Sequence, residues 1–142
     1  MKLSEVMSRD VQIANPDDTL AEAAVRMSEN EVGALPVCNG RKVLGMITDR
    51  DLVVRGLARH LDPETTQVQR CMTEGVQWCF DDEDVEAAAR KMAEHQLRRL
   101  IVVDRDKNLV GMVALADVAR AASDRVSGDT LESISEPSLS AH

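Results

Sequence analysis

The sequence predicts a mixed α/β (α+β) chain: two β-α-β-β-α repeats packed sheet to sheet about a pseudo-two-fold axis. Three observations carry this. The chain has 142 residues and meets itself when slid along by 65. Both copies show the same order of strand-like and helix-like apolar patterns. One copy alone, roughly 50 residues, holds too few apolar side chains to close a core.

At a shift of 65, Met7 falls on Met72, Val11 on Val76 and Asp17-Asp18-Thr19-Leu20 on Asp82-Glu83-Asp84-Val85. Ala23-Ala24 falls on Ala88-Ala89, Met27 on Met92 and Leu35-Pro36-Val37 on Leu100-Ile101-Val102. One extra turn residue makes the shift 66, and Gly45-Met46-Ile47 then meets Gly111-Met112-Val113 while Asp51 meets Asp117. So long a period, with two copies, suits a paired pseudo-symmetric fold better than a solenoid.

Residues 11–14 read as a short strand. Pro16 and Asp17-Asp18-Thr19 mark a helix start, with carboxylates at the positive end of the helix dipole. Leu20, Ala23, Ala24 and Met27 then recur at helical spacing. Residues 34–38 form a strand, Asn39-Gly40 is a two-residue hairpin signal, and 42–48 return as the second strand. Residues 49–59 are a second helix with Leu52, Val53 and Leu57 facing inward. In the second copy the strand is 76–79, the helix 83–94, the hairpin 100–104 with 109–113, and the closing helix 115–123. The domain organisation is therefore 1–59 for the first repeat, 60–68 for a linker broken at Asp62-Pro63, and 69–124 for the second repeat. Residues 125–142 are rich in Ser, Pro and Glu and read as a mobile tail, with Leu131 and Ile134 as docking points for a partner.

Composition narrows the function. Lys plus Arg is 17 against 25 Asp plus Glu, a formal net charge of −8. Such a surface repels a phosphate backbone, so nucleic acid is not the expected partner. Trp78 and Phe80 are the only aromatics, which excludes a stacking platform for single strands. No apolar run reaches the roughly 18 residues of a membrane span and no signal peptide is visible, so the expected location is the cytoplasm without membrane partners. Cys38, Cys71 and Cys79 are odd in number, and their spacings of 33 and 8 fit no common zinc pattern. Buried thiols in a reducing compartment are expected. A metal or redox site built from them with His95 is the other reading, since thiolate and imidazole suit zinc. The matched methionines (Met27 and Met92, Met46 and Met112) read as core filling.

The sharpest segment is Gly45-Met46-Ile47-Thr48-Asp49-Arg50-Asp51, which passes from a strand directly into a helix. Thr48 stands at the N-cap and Asp51 one turn later. A hydroxyl, free backbone N–H groups and the helix dipole suit a phosphate, and a carboxylate suits ribose hydroxyls. Arg50 adds a cation. The same residues also make a plain capping box with no ligand. The second copy keeps the carboxylate at Asp117 but has Ala114 in place of the hydroxyl. Arg98 and Arg99 precede the second hairpin, and alternation points them to opposite faces. One can meet phosphates, with His95 one turn before; alternatively the pair is a basic edge that discourages sheet pairing.

These segments resemble a tandem pair of cystathionine-β-synthase-type (CBS) domains, a Bateman module. The matching residues are Leu35-Pro36-Val37 and Gly45 to Leu52 in the first copy, and Arg98 to Asp104 and Gly111 to Asp117 in the second. The likeness covers roughly residues 3–124 and is nearest to short stand-alone bacterial members, the hypoxic response protein type among them. The resemblance implies a regulatory module that binds adenosine-containing ligands (AMP, ADP, ATP, S-adenosylmethionine or NAD derivatives) in the cleft between its repeats. It implies that Asp51 and Asp117 hold ribose hydroxyls and Thr48 a phosphate, with Asp49 and Arg50 in the same turn. Adenine then lies against aliphatic residues and backbone at the strand starts: Val11 and Ile13 with Ala34, Leu35 and Pro36, or Val76 and Trp78 with Arg99, Leu100 and Ile101. Ala114 and Ile101 depart from the family's Thr or Ser and Pro, so the second site lacks the phosphate-cap hydroxyl. The resemblance also implies a two-fold homodimer formed through the helices.

No Ser-His-Asp order, glycine-rich phosphate loop or activated-thiol motif is present, so the expected function is non-catalytic. It is a nucleotide sensor that needs no cofactor and signals through a dimer or client-protein surface. The alternative is a scaffold or interaction protein with vestigial nucleotide sites.

Overall fold

The computed structural model describes residues 1–130, with side chains through residue 124. The chain forms two units. One is Val11–Val76; the other joins Met1–Asp10 to the residues from Gln77 onward. These units are cut differently from the sequence repeats 1–59 and 69–124. The segment before the first repeat folds with the second repeat, and the segment that opens the second repeat folds with the first.

In the unit Val11–Val76, helix α1 spans Leu20–Asn30. Its start is a capping box: Thr19 Oγ1 accepts the Glu22 N–H at 3.1 Å, and Glu22 Oε1 accepts the Thr19 N–H at 2.8 Å. Leu20, Ala23 and Met27 form its buried stripe. Strands β1 (Ala34–Asn39) and β2 (Lys42–Thr48) pair antiparallel as a two-stranded sheet. Leu35, Val37 and Ile47 on one face of that sheet close a core with the α1 stripe, Ala14, Val68 and Cys71.

Several local details differ from expectation. The strand at 11–14 shrinks to a single parallel bridge between Ala14 and Val37. Pro16 follows at once, has no N–H to donate and turns the chain away. The tip of the hairpin is Gly40-Arg41, since Asn39 pairs with Lys42, and it is Gly40 that takes φ 66°. The helix at 49–59 is not uniform. It opens as α2 (Asp49–Asp51), widens to a π turn over Leu52–Gly56 and tightens to a 3₁₀ turn over Leu57–Arg59. The pitch changes at Gly56, whose φ of −102° and ψ of −76° leave helical values. His60 at φ 60° ends it, ahead of Asp62-Pro63. The linker is pinned: Pro63 and Thr66 carbonyls accept the Ala21 and Leu20 N–H groups at 3.0 Å each, filling orphan donors of α1.

Short helix α3 (Val68–Cys71) then delivers Thr73 to β2, where Met46 and Thr73 exchange N–H···O bonds of 2.9 and 2.8 Å. This approach explains Gly45. A Cβ there would stand 2.5 Å from the Thr73 carbonyl oxygen, which is backbone. Gly45→Ala is therefore expected to destabilise by about 1–3 kcal/mol or more through overpacking. Thermal melting checks it, and an unchanged midpoint would count against the pairing.

The second unit carries β3 (Trp78–Phe80), β4 (Arg99–Val103) and β5 (Leu109–Ala114) in the order β3-β4-β5, parallel then antiparallel. Helix α4 is Val85–Glu94, starting two residues later than expected because Asp84 is its N-cap. Helix α5 is Leu115–Thr130. It runs past the expected stop at 123, so residues 125–130, expected in the tail, are helical. The alanines at 116, 119, 121 and 122 are strong helix formers that carry it on. The rest of the expected tail, with Leu131 and Ile134, lies outside the described residues. Leu3 is fully buried in this unit's core beside Val85, Ala88, Met92, Leu100 and Val102. The Leu3 and Ser4 N–H groups bond the Glu83 and Asp81 carbonyls at 2.9 and 3.0 Å, and Ser8 pairs with Met112. Gly111 repeats the logic of Gly45: its Cβ would lie 2.8 Å from the Ser8 carbonyl oxygen.

The internal repeat persists in small contacts. Arg26 donates to the Ile13 carbonyl at 2.8 Å, and Lys91, 65 residues on, donates to the Trp78 carbonyl at 2.8 Å. Each helix ends in a left-handed residue at matching places, Glu31 and Gln96, both at φ 54°. Helices and strands with one small sheet per unit make the class α+β, as expected. Among the described residues no helix is long and apolar enough to cross a membrane.

Candidate functional site

The turn at 48–51 exists as expected, and its groups are already tied to one another. Thr48 Oγ1 accepts the Asp51 N–H at 3.1 Å, and Asp51 Oδ2 accepts the Thr48 N–H at 3.1 Å. The Asp49 N–H donates to the Gly33 carbonyl at 2.9 Å, and the Arg50 N–H to Asp49 Oδ1 at 2.8 Å. Each N–H of the first turn therefore has a partner within the chain. A phosphate here must displace one of these bonds, the Arg50–Asp49 contact being the most exposed.

Asp51 is 7% exposed, one of the two buried polar side chains among the described residues. Its carboxylate faces two groups that the motif did not point to. The Thr73 hydroxyl lies 3.4 Å from both oxygens, and Arg55 Nε lies 3.7 Å from Oδ1. Arg55 also donates to the Met72 carbonyl at 3.1 Å, locking it over the junction. Both partners had a signal. Arg55 stands four residues after Asp51, the spacing of a helical ion pair. Met72-Thr73 is the repeat image of Met7-Ser8. The result is a buried carboxylate that takes one ordinary hydrogen bond, from the Thr48 N–H, and otherwise long contacts, so lone pairs remain for ligand hydroxyls.

The apolar residues expected around adenine divide by face. Leu35 and Leu100 point into the two cores, so they offer a ligand only backbone. Of the aliphatic and backbone contacts expected with adenine, these two positions can supply the backbone kind, and strand alternation is the reason. Pro36 and Ile101 are buried on the opposite sheet faces. Val11, Ile13 and Ala34 are half-buried in the same unit as Thr48. Val76 closes that unit, whereas Trp78 belongs to the other. The Trp78 ring packs edge-on to Phe80 at 4.9 Å, with Lys91 and Lys107 ammonium groups 5.7 and 5.6 Å from its centre. Its π face is thus engaged by cations.

The second copy of the turn is built differently. The Leu115 N–H bonds the Arg98 carbonyl at 2.8 Å, repeating the Asp49–Gly33 bond. With Ala114 at the cap position no box forms, and Asp117 turns outward to Arg120 at 3.0 Å, its side chain 52% exposed. Arg98, Arg99 and His95 are all exposed.

Burial pushes the Cys38 thiol up to about 11 and, aided by the Glu83 carboxylate, the Cys79 thiol up to about 11. Cys71 is also raised by burial, and its thiol lies 3.6 Å from the Arg55 carbonyl. All three are free and buried. At pH 8 these thiols hold their protons, so alkylation of the native protein is expected to be slow and to become fast in denaturant. Mass spectrometry of the labelled protein checks this; rapid native labelling at Cys38 or Cys79 would contradict it. Folded-state values above the unfolded thiol value also mean that stability falls as pH rises from about 9 towards 11. Among the described residues no group of three or more His, Cys, Asp or Glu side chains is placed to hold a metal.

The comparisons with known proteins match this architecture. The CBS domain family matches residues 3–57 and 67–124. Hypoxic response protein 1 of Mycobacterium tuberculosis is 36% identical over 117 residues, 82% of this chain and 81% of that protein. Its crystal structure, with two coordinated zinc ions, covers 84% of this chain and 98% of its own, with a TM-score of 0.77. The AMP complex of CBSX2, an Arabidopsis thaliana CBS-pair protein, is 26% identical, covers 88% of this chain and 98% of its own, and has a TM-score of 0.74. The CBS domain pair of MJ0100, in complex with 5-methylthioadenosine and S-adenosylmethionine, is 25% identical with the same coverage and TM-score of 0.74. Two family matches in the expected order, on two units of the expected class, settle the kinship: the chain belongs to the CBS domain family, as a tandem CBS pair.

Proposed function

We propose that this chain is a non-catalytic regulatory module that binds an adenosine-containing ligand of the AMP, ADP or ATP class at the turn 48–51. S-adenosylmethionine is the second ligand class. The carrying observation is the buried Asp51 carboxylate at a strand-to-helix junction, positioned by Thr48, Thr73 and Arg55. Asp51 accepts from the ribose hydroxyls, while Thr48 and the exposed Arg50 meet the phosphate. Adenosine ligands in CBSX2 and MJ0100 support the ligand class. The built turn at 48–51 against the dismantled one at Asp117 supports one principal site. The ligand biases a homodimer or a client-protein surface by its differential affinity for two states. Three free thiols suit a reducing compartment, and the cytoplasm is the location we assign.

Isothermal calorimetry with AMP, ADP, ATP and S-adenosylmethionine tests this reading. Saturable heat with at least one supports it, and no heat with any of the four rejects it. A second reading, a scaffold with vestigial sites, is favoured by the first-turn N–H groups that are already bonded within the chain. It predicts that last outcome.

A further inference from the structure

The chain has four asparagines, Asn15, Asn30, Asn39 and Asn108. An asparagine is chemically labile when the next residue's backbone nitrogen can attack its side-chain carbonyl carbon. That nitrogen must carry a proton to give up, must be free of a hydrogen bond, and must not be shielded by a side chain. Three of the four fail this. Asn15 precedes Pro16, which has no N–H. Asn30 ends α1: its side-chain amide donates to the Arg26 carbonyl at 2.8 Å, and the following Glu31 N–H is bonded to the Met27 and Ser28 carbonyls. Asn108 precedes Leu109, a branched residue paired with Val103 in the β4–β5 ladder.

Asn39 meets every condition. It stands exposed at the end of β1 and pairs with Lys42, so the hairpin turns on Gly40 and Arg41 alone. A tip this short needs a left-handed residue, and Gly40 supplies it at φ 66°. Among the described residues the Gly40 N–H has no acceptor. A Cβ placed on Gly40 would meet nothing within 4 Å, so no neighbour crowds the approach. The glycine that makes the turn therefore also leaves a bare, exposed backbone nitrogen beside a primary amide.

We propose that Asn39 is a self-modification site, deamidating through Gly40 in the folded chain. The Gly40 nitrogen bonds to Asn39 Cγ, the bond from Cγ to the amide nitrogen breaks, and ammonia leaves with the Gly40 proton. The five-membered succinimide so formed takes up one water at either carbonyl, giving aspartate or isoaspartate at position 39, with no change of oxidation state. The aspartate has a precedent within the chain. The repeat image of Asn39 is Asp104, whose Oδ1 accepts the Asp106 and Asn108 N–H groups at 2.9 and 3.0 Å. Isoaspartate instead routes the main chain through the former side-chain carbon, which breaks the register of the Asn39–Lys42 pair. Either product adds a negative charge next to Arg41 and Lys42 in the chain.

The test holds the full-length chain in neutral buffer made with heavy-oxygen water, with circular dichroism to verify that it stays folded. Aliquots are digested and sequenced by tandem mass spectrometry over time. Asn39 should convert to both acids, each carrying one oxygen from the water, while Asn15, Asn30 and Asn108 stay intact. Asn39→Gln, whose ring closure is less favourable, should abolish the change and leave the melting midpoint where it was. An Asn39 that stays intact in the folded chain but converts in urea would overturn the proposal, because the hairpin would then protect it. Conversion of Asn30 or Asn108 as fast as that of Asn39 would overturn it too.

Discussion

Leu3→Ala is expected to lower the unfolding free energy by about 2–5 kcal/mol, the range for a buried leucine whose site cannot collapse. Leu3 is completely buried, and apart from Val6 and Met7 the core it fills is built by residues from Cys79 onward. Its partners are Val85, Met92, Leu100 and their neighbours. Deleting residues 1–8 goes further. It removes Leu3, the bonds from Leu3 and Ser4 to the Glu83 and Asp81 carbonyls, and the Ser8–Met112 pair. The combined loss approaches the whole stability of a small domain, about 5–15 kcal/mol. Urea titration measures the first variant, and a midpoint unmoved by Leu3→Ala would refute the packing. Hydrogen exchange measures the deletion, and protection should be lost in α4, β4 and β5. The same reasoning predicts that a fragment starting at residue 69 does not fold without the leader.

That leader is what the sequence hid. The repeat, the order of elements and the ends of α1 and β2 were all legible, because apolar spacing and capping are local signals. Which hairpin a leader pairs with is not local. Met7-Ser8 and Met72-Thr73 align with each other in the repeat, but that alignment is silent on whether each folds with its own copy. The cue was present in Gly45 and Gly111. A glycine kept at matching strand positions in both copies points to a backbone passing close by, and that backbone is Thr73 in one unit and Ser8 in the other. The π turn at Leu52–Gly56 was equally hidden, since its apolar residues fit an α-helix well enough. The tail was misplaced for a compositional reason: Ser and Gly at 127 and 128 suggest a break, but the alanines before them extend α5.

The site was half legible. Thr48 and Asp51 lie in a box that spacing alone identifies. Thr73 comes from another segment and had no signal within the motif. Leu35 and Leu100 read as ligand contacts because they sit beside Pro36 and Ile101, but neighbours on a strand face opposite ways, so these two can supply only backbone. The asymmetry between the turns lies in the cap hydroxyl and in what else faces each carboxylate. Position 114 has no hydroxyl to accept the Asp117 N–H, and the Asp117 carboxylate bonds Arg120 on the outside of the helix, whereas Asp51 is faced by Thr73 and Arg55 as well as by Thr48.

Asp51→Ala is accordingly expected to weaken adenosine-ligand binding by about 100-fold or more, from two hydrogen bonds to a charged acceptor worth about 1.5–3 kcal/mol each. The variant also loses a capping box, at about 0.5–2 kcal/mol of stability. Thr48→Ala breaks the same box and costs the fold a similar amount, but it leaves the carboxylate for the ribose, so its binding loss should be nearer 10-fold, about one hydrogen bond. The pair of variants therefore separates contact from scaffold. Asp117→Ala removes an exposed side chain bound to Arg120 and should change affinity little. Calorimetry with the tightest ligand, alongside melting of each variant, decides among these. Equal losses for Asp51→Ala and Thr48→Ala would mean that the turn acts only through the fold. A larger loss for Asp117→Ala would move the principal site to the unit that carries β3, β4 and β5.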